Sequence, residues 1–294
     1  MSLLSSTAGW VTEEHSLFAD EASKFLDTEL KPQIEKWAND GVVERNFWKK
    51  AGDMGLMGGS VHEEFGGSGG DISFDAITAY LQAAKGDAGW GYGIQSIVIH
   101  YVNAYGSEEQ KAKWLPQLVN GEKIAALAMT EPNCGSDLQA IKTHAEKDGN
   151  QYKINGSKTF ITNGGSAGLI CLAAKTDPNQ GSKGVSLLMV ETDGLEGFRR
   201  GTPLKKVGMK GNDTAELFFE NVKIPQTNLL GPEEGKGFYQ LMKQLPWERL
   251  YIGIAGLGAA DCALDETIKY VKERKAFGKR VFDFQNTKFK LAEL

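Results

Sequence analysis

The chain has 294 residues, 41% hydrophobic and 24% charged, enough for an ample core and for two or three domains. Its 33 basic and 38 acidic residues leave a formal charge of −5, so no bulk basic field argues for nucleic acid. Three scattered cysteines without a CxxC pair exclude a disulfide scaffold or zinc knuckle, four scattered histidines without HExxH argue against a metal, and no apolar run reaches membrane-spanning length.

The first residues, MSLLSSTAGWVTEEH, have neither the basic start and apolar core of a secretion signal nor the arginines of a mitochondrial presequence. They predict a cytoplasmic protein of bacterial type, or a mitochondrial matrix protein whose presequence has been removed. Residues 1–125 read as an all-helical domain. Phe18, Ala22 and Phe25 recur at helical spacing before Pro32, and Ile77, Tyr80, Leu81 and Ala84 do so after the loop Gly66–Gly70. Helices are also expected around Phe47–Met57 and Gln95–Tyr105, and Ser107 with Gln110 has capping-box spacing.

From 126 to 235 the period becomes that of strands. Asn155-Gly156 between Gln151–Ile154 and Ser157–Ile161 predicts a hairpin with a type I′ turn. Short strands at Leu169–Ala173, Val185–Val190 and Ala215–Phe219 complete an antiparallel β-barrel or sandwich. From 236 to 294 the helical period returns, with Pro246 as a first-turn residue and Leu250, Ile254 and Leu257 on one apolar face. Gly253, Gly256 and Gly258 lie inside that helix, which predicts close packing against another helix. A further helix begins near Phe284 and reaches Leu294 without a cap or breaker, so this C-terminal helical-bundle domain is expected to be incomplete. The fold class is thus α+β multidomain.

Glycine is abundant, 36 of 294 residues, against an average near 7%. Yet GGSGGD is not followed by Gly-Lys-Ser/Thr, so it is no P-loop, and Gly256-Leu-Gly258-Ala-Ala-Asp261 lacks the last glycine and the preceding strand of a dinucleotide fingerprint. The stretch Ala128–Asp137, AMTEPNCGSD, is a loop rich in hydroxyls and free backbone N–H groups. By itself it reads either as a turn-rich connection or as a cradle for a polar ring edge or a phosphate.

MTEPNCGSD resembles the signature of acyl-CoA dehydrogenases. Phe160-Ile161-Thr162-Asn163-Gly164 is similar to that family's second flavin strand, and Glu273-Arg274-Lys275-Ala276-Phe277-Gly278 with Gln285 to its helical flavin motif. Gly66-Gly67 and Ser107-Glu-Glu-Gln110 fit its amino-terminal helical domain. The resemblance is collinear over essentially the whole chain. It implies FAD, with Met129, Thr130, Gly135 and Ser136 along the ring and pyrophosphate and Phe160, Ile161 and Thr162 beside the ring. Ser136 would also touch acyl-CoA. Arg274, Phe277 and Gln285 would serve the FAD of a neighbouring subunit in a homodimer or homotetramer, since a guanidinium suits pyrophosphate through paired charge-assisted bonds. Two features depart from the family pattern: Asn133-Cys134 replaces two small residues, and Phe160 stands where tryptophan is frequent.

The implied reaction is α,β-dehydrogenation of a fatty acyl thioester, the β-oxidation step, with electrons passed to an electron-transferring flavoprotein. Most members of the family carry their catalytic glutamate beyond position 294. Leu245-Pro246-Trp247-Glu248-Arg249-Leu250 instead resembles the long-chain and isovaleryl members, which makes Glu248 the base and Arg249 a substrate contact. Read without the resemblance, Glu248 is an ordinary first-turn acid favoured by the helix dipole. The rival expectations are an acyl-CoA oxidase or other flavoprotein on the same scaffold, and a non-catalytic CoA- or flavin-binding partner subunit.

Overall fold

The computed structural model describes residues 9–294; the reading of the leader falls mostly outside them. The helical domain runs α1 (Glu13–Phe25), α2 (Ile34–Asp40), α3 (Arg45–Asp53), α4 (Ile72–Ala84), α5 (Tyr92–Tyr105) and α6 (Glu108–Val119). Thr12 caps α1, Asp71 caps α4 and Ser107 caps α6, each accepting a backbone N–H of the first turn. The Ser107–Gln110 box forms in both directions, at 3.2 and 3.1 Å. After α1 the chain passes through a π-helical turn before Pro32 enters the next short helix.

The sheet is built from β1 (Ala125–Ala128), β2 (His144–Asp148), β3 (Gln151–Ile161), β4 (Leu169–Lys175), β5 (Val185–Glu191), β6 (Phe198–Arg200) and β7 (Ala215–Pro225). It is mixed rather than wholly antiparallel, because β1 and β2 both pair β4 in parallel. The predicted hairpin at Asn155-Gly156 is also corrected. Residues 151–161 are one strand, paired along its length with β7 and bulged after Ile154. Gly156 takes φ +146° there, and a Cβ on it would lie 2.5 Å from Thr143 Oγ1, so this glycine serves a close approach. The true hairpin joins β2 to β3 around Gly149, whose φ is +62°.

Side-chain alternation places this sheet between two cores. Leu169, Cys171 and Ala173 of β4 join the large cluster shared with the helices, while Ile170, Leu172 and Ala174 join a second cluster with Tyr152, Ile154, Leu217 and Phe219. The sheet therefore curls so that β3 and β7 close over the face of β4 turned from the helices.

The last segment is α7 (Gly237–Glu273), a small ribbon of β8 (Lys275–Ala276) and β9 (Lys279–Arg280), and α8 (Gln285–Glu293). Pro246 lies inside α7, not in its first turn. It has no N–H for the Met242 carbonyl, a loss offset by burial of Leu241, Trp247 and Tyr251 on the same helix. Of the three glycines, only Gly258 meets another helix. A Cβ there would lie 2.4 Å from Tyr80 O, whereas one at Gly253 or Gly256 would meet nothing within 4 Å. No helix among the described residues is long and apolar enough to cross a membrane.

Candidate functional site

Phe238, Leu241, Leu245, Glu248, Ile252, Ala255 and Ala259 follow one another at alternating steps of three and four, so they form one stripe along α7. Two cavities open on that stripe. The first, about 300 Å³, lies against its N-terminal half, with Glu248 and Arg249 facing Met129 and Ser136 of the loop after β1 and Tyr101 of α5. The second, about 450 Å³, continues past Tyr251, Ile252, Ala255 and Ala259 between α4 and α5 and is also lined by Thr162. Glu248 and Ala259 are about 16 Å apart along the axis.

Glu248 is half-buried, and its Oε1 accepts the Tyr101 hydroxyl at 2.9 Å. Burial pushes its carboxyl above the ordinary value, and the Tyr101 hydrogen bond and the Arg249 charge only partly oppose that. It is the twelfth residue of α7, so the dipole effect expected of a first-turn acid does not reach it. The preceding residue, Trp247, stacks on His100 at 5.1 Å between ring centroids. Consecutive α5 residues thus hold consecutive α7 residues. Tyr101 carries no motif and reads in sequence as one more apolar-face residue of α5, which is why it was missed.

The loop before β2 is pinned from beneath. Lys158 on β3 is completely buried and donates to Glu131 Oε1 and to the Met129 carbonyl, both at 2.8 Å. Glu131 also accepts the amides of Lys142 and Thr143 at 2.6 and 2.9 Å. Burial raises its carboxyl, but the Lys158 ammonium and these donors outweigh that and hold it below the ordinary range. The Thr130 carbonyl accepts Thr159 N at 2.9 Å. Above this base the Thr130, Ser136 and Thr162 hydroxyls have no partner among the described residues, and Gly135 is exposed with open space at its Cβ position.

At the end of β3 a second irregularity in the pairing with β7 turns Phe160 outward, 67% exposed at φ +58°. A bulky residue in that region stores roughly 1–3 kcal/mol and is typical of a functional site. Ile161 packs instead into the second core. Asn163, another missed residue, is buried and donates to the Gly91 and Ala125 carbonyls at 3.1 and 3.0 Å, tying this strand end to the helical domain. A donor set of free hydroxyls beside an exposed aromatic ring suits a flavin's polar edge and pyrophosphate.

Arg274, Phe277 and Gln285 are not brought to this place. They lie exposed around the ribbon that follows α7, and Arg274, at the end of that helix, is about 39 Å from Glu248 along its axis. Phe277 is 95% exposed at φ +52° and meets Phe284 edge-on.

Family models for the acyl-CoA dehydrogenase N-terminal, middle and C-terminal domains match residues 12–122, 126–222 and 235–294. A crystal structure of an acyl-CoA dehydrogenase from Geobacillus kaustophilus is 48% identical, with a TM-score of 0.93 over 98% of this chain and 76% of that one. This chain belongs to the acyl-CoA dehydrogenase family. Within the family it is 46% identical over 286 residues to the mitochondrial long-chain specific acyl-CoA dehydrogenase of Sus scrofa, covering 96% of this chain. It spans 66% of that relative's length. A glutaryl-CoA dehydrogenase from Mycobacterium smegmatis, solved in complex with FADH2, is 30% identical, with a TM-score of 0.87 over 96% of this chain and 72% of that one.

Proposed function

We propose that this acyl-CoA dehydrogenase family chain takes part in FAD-dependent α,β-dehydrogenation of fatty acyl-CoA thioesters to trans-2-enoyl-CoA, with Glu248 as the base. The observation that carries this reading is Glu248 itself, a half-buried carboxyl with a raised pKa facing a cavity beside free hydroxyl donors. A thioester α-proton is weakly acidic, so its acceptor needs a raised pKa and dry surroundings. Tyr101 holds one carboxylate oxygen and leaves the other free for the proton. Bound FAD supplies the acceptor to which the β-hydrogen leaves as hydride. The Thr130, Ser136 and Thr162 hydroxyls and the Gly135 amide hold the flavin, Met129 and Phe160 pack beside it, and Ser136 with Arg249 also meets the acyl-CoA.

Arg274, Phe277 and Gln285 lie beyond the far end of α7, away from the cavity at Glu248, so they are assigned to the flavin of a second copy, which makes the working form a homodimer or larger. The stripe along α7 extends well beyond Glu248, which supports long acyl chains. An electron-transferring flavoprotein is the acceptor that this reading entails. The domain boundaries fall at 125/126 and 235/236.

The test is an absorption spectrum of the purified protein before and after palmitoyl-CoA. A yellow flavin spectrum that bleaches without added reductant supports the reading. A flavin that stays oxidised overturns it.

A further inference from the structure

Glu248 follows Pro246 by two residues, at the place where α7 lacks one of its own backbone hydrogen bonds. Support for this stretch comes from a buried polar network on the neighbouring helices. Asp75 of α4 is 2% exposed, and its carboxylate gathers four donors. Oδ1 accepts the Tyr92 hydroxyl at 3.1 Å and the Ser96 hydroxyl at 3.5 Å. Oδ2 accepts the Ser60 hydroxyl at 3.0 Å and the His100 Nε2–H at 3.3 Å. A carboxylate only accepts, so the ring proton of His100 that faces it sits on Nε2.

Tyr92, Ser96 and His100 follow one another at steps of four, so one face of α5 is bound to a single carboxylate. Two residues of that row reach α7. The His100 ring lies on Trp247, 5.1 Å between centroids and 28° between planes, and the Tyr92 ring meets Tyr251 at 6.1 Å. Trp247 and Tyr251 are themselves four apart and flank Glu248 along the helix. Tyr101 fixes the tip of the Glu248 side chain, and this row fixes the stretch of helix from which that side chain springs. An apolar row would also pack two helices together. A fully bonded buried carboxylate does more, because it specifies one rotation and one height of α5 against α4.

We propose that His100 and Asp75 are positioning residues for Glu248: Asp75 orients the His100 ring, the ring seats Trp247, and the carboxyl of the next residue is thereby aimed into the first cavity. The inference rests on the reading of Glu248 as the base. Neither His100 nor Asp75 lines either cavity along α7, so both act on the rate through Glu248 and not through contact with the substrate.

The test follows flavin bleaching by stopped-flow absorbance over a range of palmitoyl-CoA concentrations, with circular dichroism and flavin content as controls. His100→Ala should lower the saturating rate roughly ten- to a hundredfold, the cost of a small misplacement of a reacting group, and leave the half-saturating concentration unchanged. His100→Phe, which restores a flat ring against Trp247, should recover part of the loss. Asp75→Asn, which alters only the anchor of the ring, should show a smaller loss of the same kind. In the Glu248→Gln background neither His100→Ala nor Asp75→Asn should lower the rate further. If His100→Ala does not fold, His100→Phe and Asp75→Asn carry the same comparison. Unaltered saturating rates in the folded variants overturn the inference and leave the base reading intact, and so does an equal loss in the Glu248→Gln background or a loss confined to the half-saturating concentration. If Glu248→Gln alone bleaches at near the unaltered rate, the base reading fails and this inference fails with it.

Discussion

The Tyr101 hydroxyl donates to Glu248 Oε1 across 2.9 Å, joining α5 to α7 at the wall of the first cavity. The same bond stabilises the charged form of a carboxyl that burial pushes the other way. Burial wins, which leaves Glu248 raised, held in one orientation and able to accept a proton through its second oxygen.

Replacing Glu248 by Gln keeps the shape and the Tyr101 contact and removes the basic lone pair. Flavin binding should be retained, and the rate of substrate-driven bleaching should fall by about 10²–10⁴-fold, the usual worth of a positioned general base. Stopped-flow absorbance on the purified variant checks this. Bleaching near the unaltered rate would remove Glu248 from the role.

The pH dependence has a definite sign. Only the deprotonated carboxylate can take a proton, so the bleaching rate should climb as pH rises through the raised pKa of Glu248, above the ordinary glutamate value near 4.3. Tyr101→Phe removes a donor to the charged form, raises that pKa further and should move the acid limb to higher pH. The same raised carboxyl makes stability fall as pH rises between the unfolded and folded values, because the folded state holds its proton longer. Rate profiles of the two proteins in matched buffers measure the displacement; superimposable limbs would mean that Tyr101 does not tune the base.

Local signals carried much of the helical domain. Ser107 and Gln110 form the expected box, and Ile77, Leu81 and Ala84 lie on α4 as their spacing requires. The misreadings arose where a distant partner decides. Asn155-Gly156 has the composition of a turn, but Gly156 pairs Phe219, and Asn155 accepts the Asn221 amide at 2.8 Å from a strand far along the chain. Pro246 looked like a helix start because its cost inside α7 is visible in sequence, whereas the packing of Trp247 on His100 that offsets it is not. The same limit hid Tyr101, whose role exists only because α7 returns to α5.

Lys158 and Glu131 form a buried pair beneath the Met129–Ser136 loop. Lys158→Met leaves the Glu131 carboxylate buried without its cation and should cost about 3–5 kcal/mol. Adding Glu131→Gln removes the stranded charge and should recover part of the loss. Urea denaturation midpoints of the single and double variants measure both steps. Glu131 is held below its ordinary pKa, so its contribution is full above the unfolded value and is lost as pH falls through the folded one.

Arg274 is exposed at the far end of α7, and its side chain has no partner among the described residues. If it grips the flavin pyrophosphate of a second copy, Arg274→Ala should leave the fold intact and weaken flavin retention roughly ten- to a hundredfold, the worth of a charge-assisted bond. Flavin content after gel filtration, read beside circular dichroism, separates this from unfolding. Full flavin retention in the variant would return Arg274 to a solvated surface charge.

Two glycines of α7 should respond in opposite directions to the same substitution. At Gly258 a Cβ would stand 2.4 Å from the Tyr80 carbonyl and 3.0 Å from Ala83 Cβ, so the α4–α7 crossing must open to admit it. Tyr80 also donates to Asp261 Oδ2 at 2.5 Å on that interface, so the crossing cannot shift without disturbing this bond. Gly258→Ala should therefore lower stability by about 1–3 kcal/mol. At Gly253, exposed with nothing within 4 Å, the added methyl has only its helix propensity to contribute and should raise stability by up to about 1 kcal/mol. Thermal melting of the two variants reads the signs directly. Equal shifts in the same direction would mean that helix propensity, rather than contact with α4, explains the glycine at 258.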